Sequence, residues 1–230
     1  MFITLGFLKE KSACGAGQRY FADHFPEGAE YQAVLDVLAK ENQDGYADWL
    51  MEAVGKTDAV MEIDGDLEIE GNIFFAGLIK VSGFIKASLR IKAGSGIKAG
   101  SGIKAGSGIK AGSGIEAGWG IKAGSGIEAG SGIEAGWGIK AGSGIEAGWG
   151  IKAGSGIKAG SGIEAGSGIE AGSGIEAGWG IKAGSGIEAG DDYGIYAGLR
   201  VRISLKAQYA VVVAKEAPKN LLLGIFKAKE

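Results

Sequence analysis

Residues 115–126 read Ile115-Glu116-Ala117-Gly118-Trp119-Gly120-Ile121-Lys122-Ala123-Gly124-Ser125-Gly126, and this pair of hexapeptides decides the fold. The unit Ile-(Lys/Glu)-Ala-Gly-(Ser/Trp)-Gly recurs without a break, with Ile at every sixth position from Ile91 to Ile187. Side chains alternate between the two sides of a strand. Ile and Ala therefore point to one side together, and the Lys or Glu between them points to water. A helix is excluded, because one Gly in three costs about 1 kcal/mol each relative to Ala. Collagen-type helices need Gly at every third position, whereas here the Gly spacing alternates between two and four. What remains is a β-solenoid of short stacked strands, each coil hydrogen-bonded to the next.

The register extends outward in degenerate form through Leu67, Ile73, Ile79 and Ile85, and it breaks where Asp191-Asp192 is inserted. A three-faced coil of three hexapeptides and a two-faced coil of two hexapeptides both fit the spacing, and handedness is not readable. The three-faced coil would place roughly seven turns, about 33 Å of rod, in residues 67–190. Of the 46 glycines, 33 lie in residues 91–190, which leaves only Ile and Ala to form a thin core. Such a rod has no room for a deep pocket, so function must reside on its surface and at its two non-repeating ends.

Solenoid ends are sheet edges and need covering. Residues 1–60 read as an α-helical module that serves as the N-terminal cap. Tyr31, Val34, Leu35 and Leu38 share one helical face, and Trp49, Leu50, Ala53 and Val54 share another. The turn Phe25-Pro26-Glu27-Gly28 separates them from an earlier helix around Ala16–His24. Residues 61–192 form the solenoid and residues 193–230 a β-rich C-terminal capping segment. In that segment Leu199–Lys206 alternates as a strand, Tyr209–Val213 follows, and Leu221–Phe226 folds over the last coil. The fold class is mainly β, a hexapeptide-repeat β-helix with helical and β-rich ends.

A net charge of −3 gives no reason to expect a nucleic-acid or membrane partner. The charge is nevertheless polarised: residues 1–66 hold 13 acids and five bases, residues 200–230 seven bases and two acids. Hexapeptide acyltransferases use a His base at the coil surface, but the only His here, His24, lies outside the repeat. Cys14 is the single cysteine, so no intramolecular disulfide forms and a reducing compartment is expected. A Cys14 nucleophile with His24 as base is weighed against a buried small residue in a first helical turn, and the latter is expected. No Cys/His metal spacing occurs. Asp64, Asp66, Glu68 and Glu70 alternate on the outer side of the first strand and read as solvated edge protection rather than a cation site. Catalytic residues, metals and cofactors are therefore not expected. Neither a basic leader nor an apolar run long enough to span a bilayer occurs, so no signal peptide or membrane span is expected.

Two surface patterns go beyond scaffold. Trp replaces Ser at Trp119, Trp137, Trp149 and Trp179. A position that accepts both must face outward or lie at a corner, and exposed Trp is typical of binding hot spots. Each Trp follows a Glu by three and precedes a Lys by three, which predicts a cation–π contact worth about 0.5–1 kcal/mol. Duplication of a two-hexapeptide unit produces the same spacing. Under the three-hexapeptide coil, Lys86, Lys104, Lys122, Lys140 and Lys158 form one column that ends in Glu176. Lysines stacked about 4.8 Å apart repel one another. Neighbouring Glu columns are expected to balance them, with an acidic protein or a phosphate chain as alternatives. These four Trp and five Lys are the candidate partner-binding residues.

Ala13-Cys14 with Tyr20-Phe21, then His24-Phe25-Pro26-Glu27-Gly28, then Trp49-Leu50 resembles a small helical module of uncharacterised bacterial and prophage proteins. In those proteins the module precedes repeats of the GIEAGWGIKAGS type. The resemblance implies a phage or mobile-element setting and the cytoplasm of a bacterial host. The function expected on that basis is non-enzymatic binding of a host protein or complex, with inhibition of a host-defence complex by surface occlusion as the simplest mechanism. Nucleic acid is a further candidate partner, and a small homo-oligomer is compatible with the chain. The alternative is a self-associating structural rod.

Overall fold

The computed structural model describes residues 1–229. Four helices open the chain: α1 (Leu5–Glu10), α2 (Gly15–His24), α3 (Tyr31–Lys40) and α4 (Asp44–Val54). Thr4 caps α1 by accepting from the Phe7 amide, and Cys14 caps α2 by accepting from the Gly17 amide through Sγ at 3.3 Å. These contacts satisfy amide groups that a helix N-terminus leaves unpaired. Tyr31, Val34, Leu35 and Leu38 of α3 meet Ala47, Leu50 and Met51 of α4, with Leu8 and Phe21, in one buried cluster. Cys14 is exposed, contrary to the expected burial, because its sulfur is held at the helix start by the cap.

From Val60 onward the chain forms strands of three or four residues, and each pairs in parallel with the strand one coil away. Ile103 lies beside Ile85 on one side and Ile121 on the other. The coil therefore consists of three hexapeptides and has three faces. The first face runs from Val60–Ile63 to Ile187–Ala189 in eight strands. The second runs from Leu67–Ile69 to Leu221–Leu223 in nine, and the third from Ile73–Phe75 to Ile225–Ala228 in nine. The rod has about nine turns, because strands of the C-terminal segment extend it beyond the repeat tract. Every sixth-position Ile from Ile91 to Ile187 is buried, and the Ala two residues later packs beside it along the axis.

The two glycines of a unit differ in how closely a neighbouring coil approaches them. A Cβ on Gly124 would lie 1.8 Å from the carbonyl oxygen of Gly106 in the preceding coil, an impossible contact. A Cβ on Gly126 would lie 3.5 Å from the Gly144 oxygen, an ordinary contact. The first glycine lets successive coils approach closely. Neither is set by left-handed backbone: the glycines with positive φ are Gly28, Gly55, Gly65, Gly71, Gly198 and Gly224, all outside residues 91–190.

The helical module covers the rod from the side. Phe74 occupies the outward position of the third face, where later coils carry Lys or Glu, and it is buried among the helices. The Gln32 amide donates to the Phe74 carbonyl at 2.9 Å, and its oxygen accepts from the Ala76 amide at 3.0 Å. In this way Gln32 pairs like a short strand segment. Asp48 of α4 meets Lys92 at 2.5 Å and Arg90 at 3.1 Å. Lys92 is buried, and Asp48 supplies its countercharge. The first and second faces begin with strands that have a neighbour on one side only. Their acids bond to the coil above. Glu62 pairs with Lys80 and Glu68 with Lys86, while Asp64 accepts from the Ser82 hydroxyl and Asp66 from the Phe84 amide.

At the far end, Leu199–Lys206 is not the expected strand. Ile203–Leu205 forms a 3-10 turn that leads into α5 (Lys206–Tyr209). The third-face slot is taken instead by Val211–Ala214, whose Val212 sits beside Ile181 and is buried like the Ile it follows. Leu221–Leu223 and Ile225–Ala228 then continue the second and third faces.

Candidate partner-binding surface

The Ser/Trp position lies at the corners of the three-sided coil, which is why both residues are accepted there. Trp119 and Trp137 share the corner between the first and second faces, one coil apart. Their rings stack with centroids 5.6 Å apart and planes 11° from parallel. Trp149 lies at the corner between the third and first faces, and Trp179 at that between the second and third. All four are outward, with exposures of 55%, 62%, 69% and 51% in chain order. They are distributed over three corners and do not share one face. The step from Trp119 to Trp137 is three hexapeptides, one full coil, but the two hexapeptides from Trp137 to Trp149 cover only two thirds of a coil.

The expected cation–π contacts are also not made. Among the described residues the one such contact is Lys11 over Phe7. The Lys that follows each corner Trp projects from the middle of the next face. Trp119 and Trp137 stack on each other instead, and Trp179 leans on Tyr209 at 5.5 Å.

The lysine column exists as expected and lies on the second face. Its register reads Glu68, Lys86, Lys104, Lys122, Lys140, Lys158, Glu176 and Tyr196. Lys86 pairs with Glu68 and Lys158 with Glu176, so both ends of the run are closed by carboxylates. Among the described residues, Lys104, Lys122 and Lys140 have no carboxylate within ion-pair distance. Neighbouring Glu columns do not balance them. Adjacent faces point away from one another, and the regular coils pair only along a column, between one coil and the next. On the first face Lys98 meets Glu116 at 2.7 Å and Lys152 meets Glu170 at 3.3 Å. On the third face Lys110 meets Glu128 at 2.7 Å and Lys182 meets Glu164 at 2.5 Å. The hydrogen bond from Lys182 to Glu164 holds the ammonium above its usual pKa. Among the described residues, the second face alone carries an uninterrupted lysine run of this length.

Each face forms a shallow groove between its raised corners. The groove of the second face, about 970 Å³, is lined by the lysines together with Trp119, Trp137, Tyr193 and Tyr196. The lysines and the tryptophans are legible in the sequence, but the two tyrosines are not. Tyr196 takes the column position after Glu176, and Tyr193 follows the inserted Asp191-Asp192 turn. The break in the repeat is the signal that marks them.

Cys14 and His24 sit at opposite ends of α2, about 15 Å apart at the rise of a helix. The two do not form a nucleophile and base. The His24 ring stacks on Tyr20 at 4.1 Å, and its Nε2 lies 3.4 Å from Glu41. Tyr20 donates to the same carboxylate at 2.7 Å, and burial together with that bond pushes its phenol well above the usual range. Among the described residues no group of three or more His, Cys, Asp or Glu is placed to hold a metal ion. No helix of the described residues is long and apolar enough to cross a membrane.

Residues 1–57 match the family model described as the YdhT N-terminal domain. The match covers the helical module and stops short of the first solenoid strand at Val60. No curated protein and no solved structure matches the chain significantly.

Proposed function

We propose that the chain is a non-enzymatic binding protein that engages a macromolecular partner through the second face of its solenoid and the Trp119–Trp137 corner. The observation that carries this reading is the unbroken lysine run beside a stacked, exposed indole pair. Like charges about 4.8 Å apart destabilise a surface unless something compensates them, and among the described residues carboxylates compensate only the two ends of the run. Exposed aromatic residues are enriched at interface hot spots. The repeat supplies a stiff platform, because every regular coil is bonded to both of its neighbours. In the phage setting that the sequence resemblance implies, the partner is a host protein or complex in the bacterial cytoplasm, and occluding its surface would inhibit it. A host-defence complex is the natural target.

Affinity capture from host lysate tests this reading. Wild type and a W149S/W179S variant are expected to retain the same partner, and W119S/W137S to lose it. Equal capture by all three would mean that the partner does not contact the second-face corner. A second reading, the self-associating rod, draws support from strands with one free edge at each end of the solenoid, Val60–Ile63 and Leu67–Ile69 at one and Leu221–Leu223 at the other. Light scattering across a concentration series separates the two readings, since open stacking makes mass rise with concentration.

A further inference from the structure

We infer that the second face takes a short acidic segment of a polypeptide, a run of three or four carboxylates beside an aromatic or aliphatic side chain. This inference rests on the proposed binding role of that face and specifies the chemistry of its partner.

The sign follows from Lys104, Lys122 and Lys140, which lack a carboxylate partner among the described residues. The length follows from the ends of the column. Three free ammonium groups span two coil spacings, about 10 Å. Beyond them Lys86 and Lys158 are already neutralised by Glu68 and Glu176, and Asp192 lines the groove past Glu176. A long phosphate backbone laid along the rod would meet carboxylates at both ends, whereas a short acidic run fits between them. The apolar element follows from the indoles. Trp119 and Trp137 are stacked face to face with centroids 5.6 Å apart, too close to admit a third ring between them. The pair forms no slot for an inserted base, but its exposed rim offers a flat contact for one side chain at the edge of the basic strip.

Fluorescence anisotropy with the full chain tests the inference. The probes are a labelled peptide with four consecutive Glu flanked by Phe and Leu, the same peptide with Gln for Glu, and a labelled oligothymidylate. The acidic peptide is expected to bind, and its affinity to fall between about 50 and 200 mM salt. The Gln peptide is expected to bind about tenfold more weakly, and K104Q/K122Q/K140Q to weaken the acidic peptide by a similar factor, the sum of several modest exposed pairs. Circular dichroism on the triple variant checks that the solenoid is intact. Equal binding of the Gln peptide, or no binding of the acidic peptide, overturns the inference. Tighter binding of the oligothymidylate than of the acidic peptide also overturns it and assigns the face to nucleic acid. Should the acidic peptide fail while partner capture still depends on Trp119 and Trp137, the binding role stands and only the acidic chemistry falls.

Discussion

Trp119 and Trp137 stack across one coil with ring planes 11° apart, and they are the one such indole pair among the four corner tryptophans. Stacked indoles couple electronically, so the far-UV circular dichroism of the protein should carry an exciton couplet. W119S alone is expected to remove it as completely as W119S/W137S, whereas W149S leaves it unchanged. Because these side chains lie on the surface, stability should change by no more than about 1 kcal/mol. A couplet that survives W119S would contradict the shared corner.

The two glycines of a repeat should respond differently to the same methyl group. G124A places Cβ against the Gly106 carbonyl oxygen and forces the coils apart, whereas G126A meets only ordinary contact with Gly144. G124A is expected to destabilise by about 3 kcal/mol or more, in the range of severe overpacking. G126A should cost under about 1 kcal/mol. Urea unfolding of the two variants measures the difference, and equal midpoints would refute the stacking geometry.

The helical module is held to the third face in part by Asp48. Burial raises the pKa of this carboxyl, but the hydrogen bond and charge of Lys92, together with Arg90, outweigh it and hold the value below the ordinary 3.8. A depressed carboxyl stabilises the folded state fully above its unfolded value and loses that contribution as pH falls through the folded one. Docking of α4 should therefore be insensitive to pH near neutrality and weaken as pH drops below about 3.8. D48N should lower stability at pH 7 by about 1–3 kcal/mol, since it leaves Lys92 buried without its countercharge. It should also flatten the acid limb of the stability curve. An unchanged acid limb would mean that other carboxylates control that transition.

Much of this architecture is legible because the repeat states it directly. Alternation of Ile and Ala with a charged residue gives the strand and its inward side, and Ser/Trp exchange gives the outward corner. Coil length is not legible, because two and three hexapeptides per coil satisfy the same spacing and the packing of Ile91 on Ile109 is a long-range fact. Once the coil is known, the lysine column follows from arithmetic. The distribution of the Trp over three corners follows equally, since two hexapeptides are not a whole coil.

The non-repeating parts are harder to read. Leu199–Lys206 alternates like a strand, but Val211–Ala214 takes the slot beside Ile181 and leaves the earlier segment as a turn. Cys14 lies at the start of a helix, and nothing in the sequence separates a buried small residue there from a capping sulfur. The lateral position of the helices depends on Phe74, which stands where the repeat places a charge. An aromatic residue at an outward position is the trace of that contact.

In the proposed role, the second face contacts its partner through Lys104, Lys122 and Lys140. Titrating the captured host partner against K104Q/K122Q/K140Q and against K98Q/K110Q/K152Q tests it most directly, because both variants remove the same charge from the same rod. The first variant is expected to lose affinity by about tenfold or more, while the second stays within about threefold of wild type. Equal affinities for the two variants would contradict it.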